Sequence, residues 1–336
     1  MFKVALIGLG YWGRKIHRIL KNSLSVELIC ICDISENRII ELSENGSTVT
    51  TYLNYKEIDI NTIDAVFIST PASTHYKISS YFLLNKVNVF CEKPGFCSIE
   101  EGMNLKNILN RNVVTYMVGY TFLYNDVVNY VKNCMVENRM GQILYSDFIR
   151  AGLGPMREDV NVLYDLASHD ISIANYFFGK AVNVLASAQS YNVKGHYDVA
   201  SLVINYNNSV CVNIRVSWIE PYKQRIIKII SSSMMTEIND TNTFDKLRLY
   251  KKGITYQKND AEYASFQTSL TDGDVLFPKV DYKEPLKNEI SHFIHCIKLN
   301  IEPRTNIVQA LDVVRIIEAC EQSIKKNDFV EVINKI

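Results

Sequence analysis

No run of 18 apolar residues occurs in this 336-residue chain, so no segment has the length of a bilayer-spanning helix. There is no charge of one sign in excess: lysine plus arginine and aspartate plus glutamate each total 36. Without a basic surplus, a nucleic-acid partner is not expected. No Cys-x-x-Cys pair occurs among the eight cysteines at 30, 32, 91, 97, 134, 211, 296 and 320. A chain of this length needs no covalent staples, so these read as free thiols in a reducing, cytoplasmic setting. The short apolar start, Met1 to Gly8, lacks the flank and cleavage site of a secretion signal. Internal repeats and low-complexity linkers are also missing. What remains is globular material, 47% hydrophobic and 21% charged, which rules out a disordered chain. At about 150 residues per domain it suggests two domains.

The first of these, residues 1–121, alternates strand and helix signals. Continuous apolar runs at Lys3–Gly8, Val26–Cys32, Asp64–Thr70, Val87–Cys91 and Val113–Gly119 predict strands covered on both faces. Helical spacing falls between them, at Arg14–Leu20, His75–Asn85 and Glu100–Leu109, the last preceded by a Ser98/Glu101 capping pair. Such alternation predicts right-handed crossovers and a doubly wound parallel sheet. The pattern then changes. Val210, Val212, Ile214, Val216 and Trp218 alternate strictly, and Ala200–Tyr206, Gln224–Ser232 and Lys246–Lys251 read as further strands. Residues 122–336 are therefore expected to form an α/β domain with a large, open, mainly antiparallel sheet, closing with helices near Pro285–Leu299 and Asn306–Lys325. The Trp218 row is too apolar to stay wet. Helices can cover one face of such a sheet, which leaves the other for a homodimer or homotetramer contact.

The first strand runs into Gly8-Leu9-Gly10-Tyr11-Trp12-Gly13, and a helix follows. In that setting Gly8 permits a tight turn, Gly10 close approach of a pyrophosphate, and Gly13 tight helix–strand packing. The backbone of Tyr11 and Trp12 then lies at the anion site of a helix N-terminus. Asp33 ends the second strand, where a carboxylate suits a ribose diol and repels a 2′-phosphate, so NAD is expected over NADP. Thr70-Pro71-Ala72-Ser73-Thr74-His75 and Glu92-Lys93-Pro94 follow the third and fourth strands, at the edge where open α/β sheets bind ligands. Lys93 there can donate or accept a proton at a reacting oxygen, although an arbitrary Glu-Lys pair is commonly a solvated one.

In this order and spacing, the glycine turn, Thr-Pro-x-x-x-His and Glu-Lys-Pro resemble the Gfo/Idh/MocA family of oxidoreductases. Glu284-Pro285-Leu286, Glu289, His292, Phe293, Pro303-Arg304 and the stretch from Asp312 to Ser323 extend the likeness to the C-terminal region. The resemblance implies a Rossmann domain followed by an α/β domain, and NAD(P)-dependent chemistry at a secondary hydroxyl of a sugar or cyclitol. It makes Gly8, Gly10, Tyr11, Trp12, Gly13, Asp33, Thr70, Pro71, His75, Glu92 and Lys93 the coenzyme-binding set. Gly95 departs from the family, which more often has leucine there.

The resemblance also implies a second catalytic motif, Asp-x-Gly-x-His-x-x-Asp, which here reads Asp165-Leu166-Ala167-Ser168-His169-Asp170-Ile171-Ser172. Asp165 and His169 match, Ala167 replaces glycine, and Ser172 replaces the last aspartate. Four residues apart on a helix, Asp165 and His169 share a face. Lys93, His169 and Asp165 are thus the catalytic candidates. The stretch from Arg150 to Ala167 is similar to a bacterial subgroup of nucleotide-sugar and surface-polysaccharide pathways, with Gly152, Tyr164 and Ser168 departing from it. Arg150 and Arg157, read as lying in a glycine-containing loop, and Asn161, aligned with Asp165, are the candidate clamp for a nucleotide-linked sugar. The competing reading pairs the arginines with Asp147, Glu158 or Asp159. No metal is expected: His292 and His295 stand three apart with no third ligand. The other activities open to such a chain are a free-sugar or cyclitol dehydrogenase, a redox-assisted lyase or glycosidase, and a non-catalytic NAD-sensing regulator.

Overall fold

Val4 to Leu6 and Ala65 to Ile68 are wholly shielded from solvent, as strands with helices on both faces must be. In the computed structural model, residues 1–43, 49–154, 156–157, 159–191, 196–257, 267–271 and 273–333 are described. Strands β1 (Phe2–Ile7), β2 (Val26–Cys32), β3 (Thr50–Tyr52), β4 (Ala65–Ile68), β5 (Asn88–Glu92) and β6 (Tyr116–Gly119) make one parallel sheet in the order β3-β2-β1-β4-β5-β6. Between them lie α1 (Tyr11–Lys21), α2 (Glu36–Ser43), α3 (Ala72–Leu84) and α4 (Ile99–Leu109). The strand order reverses at β1, which opens the crevice that such sheets use for dinucleotides. Ser98 caps α4 through the Glu101 N–H, and the Glu101 carboxylate reaches back to the Cys97 N–H at 2.9 Å. The three-residue β3 carries no apolar run, so periodicity gave no sign of it.

The second sheet is built on α5 (Asp126–Val136), β7 (Ile143–Leu153), α6 (Ser168–Phe178), β8 (Ala181–Gln189), β9 (Val199–Tyr206), β10 (Cys211–Ser217), β11 (Ile219–Ser231), β12 (Met235–Asn239) and β13 (Leu247–Tyr250). A separate hairpin joins β14 (Gly253–Gln257) to β15 (Gln267–Thr271), and β16 (Val275–Leu276) pairs with β13. Helices α7 (Pro285–Leu299) and α8 (Ile307–Lys326) and strand β17 (Val330–Glu331) end the chain. The nine strands run β16-β13-β12-β11-β7-β10-β9-β8-β17, antiparallel except for the β7–β10 pair. Val210, Val212, Ile214, Val216 and Trp218 are all buried within the single chain. The other face carries a row in register across β10, β7, β11, β12 and β13: Asn213, Asp147, Lys228, Glu237, Arg248.

By spatial grouping the chain forms two compact units. One compact unit comprises Met1–Tyr124 and Glu284–Arg315, and the other Asn125–Lys283 and the chain from Ile316 onward. Helix α7 returns to the parallel sheet because Phe293 packs edge-on against Phe67 and Phe90, with ring centroids 5.5 and 5.7 Å apart. Gly102 makes room for Leu311 of α8, since a Cβ there would sit 2.5 Å from the leucine. Arg150, in turn, is in no loop. It lies in β7, where Ser146, Phe148 and Arg150 alternate as the buried residues.

Candidate functional site

The glycine turn joins β1 to α1. Gly8 has φ +89°, and a Cβ on it would lie 2.6 Å from the Ser69 carbonyl carbon. A Cβ on Gly13 would fall 1.9 Å from the Gly8 carbonyl oxygen. Gly8 excludes a side chain by conformation and by space, and Gly13 by space. Gly10, by contrast, has nothing within 4 Å of its would-be Cβ. It is the N-cap of α1 and offers no side-chain cap, so the first turn presents its N–H groups to an anion. The open ground over Gly10 and the crowding at Gly8 and Gly13 fit a bound pyrophosphate. Tyr11 and Trp12 project outward, with the Lys15 ammonium 4.3 and 4.5 Å from their ring centres.

Asp33 is buried at the end of β2 and does more than await a ribose. One carboxylate oxygen accepts the Leu9 N–H at 2.7 Å and the other the Ser35 N–H at 2.9 Å, so it shapes the turn. Arg38 stands 3.6 Å away. The Ser69 hydroxyl donates to the Gly8 carbonyl at 2.7 Å, which ties the end of β4 to the turn.

Thr70 and Pro71 lead into α3, and the Thr74 hydroxyl lies 2.7 Å from that of Thr70. His75 is buried with Nδ1 2.7 Å from the Pro94 carbonyl and Nε2 2.8 Å from the Thr70 carbonyl. It therefore bridges the two motifs found in sequence, rather than facing out to a ligand. Glu92 and Lys93 are both buried where β5 ends. Gly95 has a local cause: a Cβ there would meet the Tyr116 hydroxyl and Val118 at 2.6 Å.

The other candidates lie in the second unit. Asp165 sits in a π-helical turn, Leu163–Ala167, and His169 in the first turn of α6; both are half-buried. Turns of this kind recur at functional sites because the widened backbone re-aims side chains. The Trp218 indole N–H donates to Asp165 Oδ2 at 3.0 Å, and Arg157 stands 3.7 Å from Oδ1. Arg157 holds Asp159 through two bonds of 2.9 Å. Arg150 holds Asp170 through two more, at 2.8 and 2.9 Å, and both partners are buried. Asn161 caps the π turn, accepting the Leu163 N–H at 2.9 Å, while its amide donates to Glu321 at 3.3 Å.

The arginine forks and the Asn161 side chain are thus engaged by protein groups. Arg157 has taken Asp159, one of its three alternatives; Glu158 lies outside the described residues. The partner of Arg150 is Asp170, which was not among them. Sequence reasoning missed Trp218 as a hydrogen-bond donor, and missed Asp170. A buried strand arginine demands a counter-charge, but its place on α6 is not written in β7.

Burial pushes the Cys30 and Cys32 thiols up to about 12, so neither is a thiolate nucleophile. His292 accepts the Arg304 N–H at 3.1 Å. Among the described residues no three His, Cys, Asp or Glu side chains gather as a metal site. Nor is any helix of theirs long and apolar enough to cross a membrane.

Residues 2–120 match the profile of an oxidoreductase family with an NAD-binding Rossmann fold, and residues 158–332 that family's C-terminal alpha/beta domain. The 2,7-anhydro-N-acetylneuraminate hydratase of Mediterraneibacter gnavus is 27% identical over 155 residues, 44% of this chain and only 39% of that protein's length. The NAD(+)-dependent scyllo-inositol 2-dehydrogenase of Bacillus subtilis is 23% identical, covering 92% of this chain and 89% of its own. Among solved structures, UDP-N-acetylglucosamine 3-dehydrogenase from Acidithiobacillus ferrooxidans superposes with a TM-score of 0.80 at 19% identity, covering 97% of this chain and 98% of its own.

Proposed function

This chain belongs to the Gfo/Idh/MocA oxidoreductase family, and from that premise we propose that it moves a hydride between NAD and a secondary hydroxyl or ketone of a sugar or cyclitol. The observation that carries this reading is one edge of one sheet. The glycine turn after β1, Ser69 and Thr70 after β4, and Lys93 after β5 stand on adjacent strands at their carboxyl ends. A dinucleotide held at the turn and a proton carrier two strands along are the two parts that alcohol oxidation needs.

The coenzyme, when bound, supplies the hydride acceptor or donor. In this reading Lys93 binds the reacting oxygen through its ammonium group and moves its proton. His169 exchanges that proton onward, since imidazole both gives and takes protons near neutral pH. Asp165, fixed by Trp218 and Arg157, orients the substrate or His169. Asp33 receives the ribose diol, with Arg38 close enough to soften its preference for NAD.

A nucleotide-linked sugar in polysaccharide synthesis is the second reading. Its support is the likeness in fold to a UDP-sugar dehydrogenase. Its expected clamp is weakened, because Arg150 and Arg157 are already held by Asp170 and Asp159. A redox-assisted lyase is the third, favoured by the hydratase among the relatives. A regulator that only senses NAD would need neither Lys93 nor His169.

The test is a coenzyme titration with NAD and NADP, followed by a turnover screen of inositols, free sugars, and UDP- and dTDP-linked sugars. NAD reduction by a free sugar or cyclitol is the expected result. Turnover restricted to nucleotide-linked sugars would replace it with the second reading, and product without net NADH with the third. Tighter binding of NADP would overturn the role of Asp33.

A further inference from the structure

Helix α7 lays one face against the parallel sheet, and its buried face is not wholly apolar. One turn before Phe293 stands Glu289, with no solvent exposure at all. One of its carboxyl oxygens accepts the Thr121 hydroxyl at 2.7 Å. The other, Oε1, is buried with no hydrogen-bond partner among the described residues. The charged group acting on it is another carboxylate, Glu92 at the end of β5. Glu92 is itself buried against Gly119, its partner in the β5–β6 register, where a Cβ would lie 3.2 Å from the Glu92 carboxyl carbon. From the turn after β6 come Thr121 and Tyr124. Arg304 reaches the far side of that ring, 5.1 Å from its centre. His292, on α7 itself, accepts the Arg304 N–H and meets the Tyr124 ring. None of these is a salt-bridge partner of Glu289.

Two buried, ionised carboxylates acting on one another repel, and Glu289 Oε1 has no donor among the described residues to offset the charge. We propose that Glu289 is held as a neutral carboxylic acid and serves as a positioning residue, so that Glu92 and Glu289 together carry one buried negative charge and not two. The consequence falls on Lys93, the next residue after Glu92. A second buried anion at this place would repel the Glu92 carboxylate and displace the chain end of β5 that carries Lys93. The role rests on the proposed chemistry of Lys93, but the protonation of Glu289 does not. Burial, and then the charge of Glu92, push the Glu289 carboxyl well above its ordinary value of 4.5.

The sign of the linked stability follows. Between the unfolded value, near 4.5, and the raised folded value, the folded protein keeps a proton that the unfolded chain has lost. Stability from this group is complete below the unfolded value and falls as pH rises toward the folded one. Glu289→Gln has no proton to lose and lacks that slope.

Two measurements on the full-length protein without substrate test the protonation. Infrared difference spectra of wild type minus Glu289→Gln at neutral pH should contain the C=O stretch of a protonated carboxyl. The melting temperature of Glu289→Gln minus that of wild type should grow as pH rises from about 5 to about 8. Absence of the band, or a gap that does not change with pH, overturns the proposal. With the true substrate, Glu289→Gln should keep the wild-type pH profile, while Glu289→Ala loses about tenfold or more in kcat with NAD affinity unchanged. A pH profile displaced in Glu289→Gln as far as in Glu289→Ala would overturn the positioning role. If Lys93 proves dispensable, the infrared and melting results still stand, so the two failures can be told apart.

Discussion

Lys93 and His169 carry the proposed chemistry, and each can be removed without emptying a core. Lys93→Met keeps the length and apolar stem of the side chain but deletes its exchangeable protons. Turnover should fall about a hundredfold or more, the magnitude of a lost general acid/base, with NAD affinity nearly unchanged. His169→Asn should give a smaller loss of the same kind. Because the two act on one proton, the double variant should cost less than the two losses multiplied. Steady-state kinetics with coenzyme titrations would check this; normal turnover in both single variants would remove the proposed path. His75 illustrates how a motif residue acts indirectly. Both its nitrogens lie at backbone carbonyls, so it holds the Thr-Pro and Glu-Lys-Pro segments to each other.

At the scale of elements, the Arg150–Asp170 pair ties β7 to α6, and α6 carries His169. Both charges are buried, so removing one leaves the other uncompensated. Asp170→Asn should destabilise the fold by about 3 kcal/mol or more, measured by denaturant unfolding. Arg150→Met should cost less than that, because it removes the charge together with its desolvation and leaves Asp170 able to take a proton. Were Arg150 instead a substrate phosphate ligand, its loss would raise KM while stability stayed put. The π turn ahead of α6 is a related device: Asn161 caps it and Trp218 fixes Asp165 within it. A sequence shows four-residue spacing here but not the extra backbone width.

For the whole molecule, the face of the nine-stranded sheet opposite the Trp218 row bears on assembly. Asp147, Lys228, Glu237 and Arg248 alternate in sign across four adjacent strands, with Ile149, Ile226 and Ile230 beside them half-buried. A row of alternating charge is complementary to its own copy turned about a two-fold axis, and the isoleucines supply apolar area. We expect a homodimer or homotetramer through this face, as the strand pattern suggested. Light scattering should give at least twice the mass of the 38.5 kDa chain at micromolar concentration, and Lys228→Glu should weaken the association. A monomer under these conditions would remove the expectation.

Much of this protein is determined by local sequence. Apolar runs of strand length, a glycine turn and capping residues specify strands, a phosphate cradle and helix starts within a few neighbours of each position. For that reason β1, β2, β4, β5, β6 and most helices could be read directly, and with them Gly8, Gly13, Asp33 and Lys93. The glycines at 152 and 154 suggest a loop around Arg150, whereas it lies in β7, and only the folded chain brings Asp170 to it across twenty positions. Glu289 drew notice in sequence only through family likeness. Its burial beside a second buried carboxylate arises when α7 packs on a sheet laid down some two hundred residues earlier in the chain. The return of α7 to the first unit is likewise a matter of Phe293 meeting Phe67 and Phe90. Backbone preference acts between near neighbours and is legible along the chain. Burial and charge compensation act between surfaces, and which surfaces meet is decided by the tertiary fold.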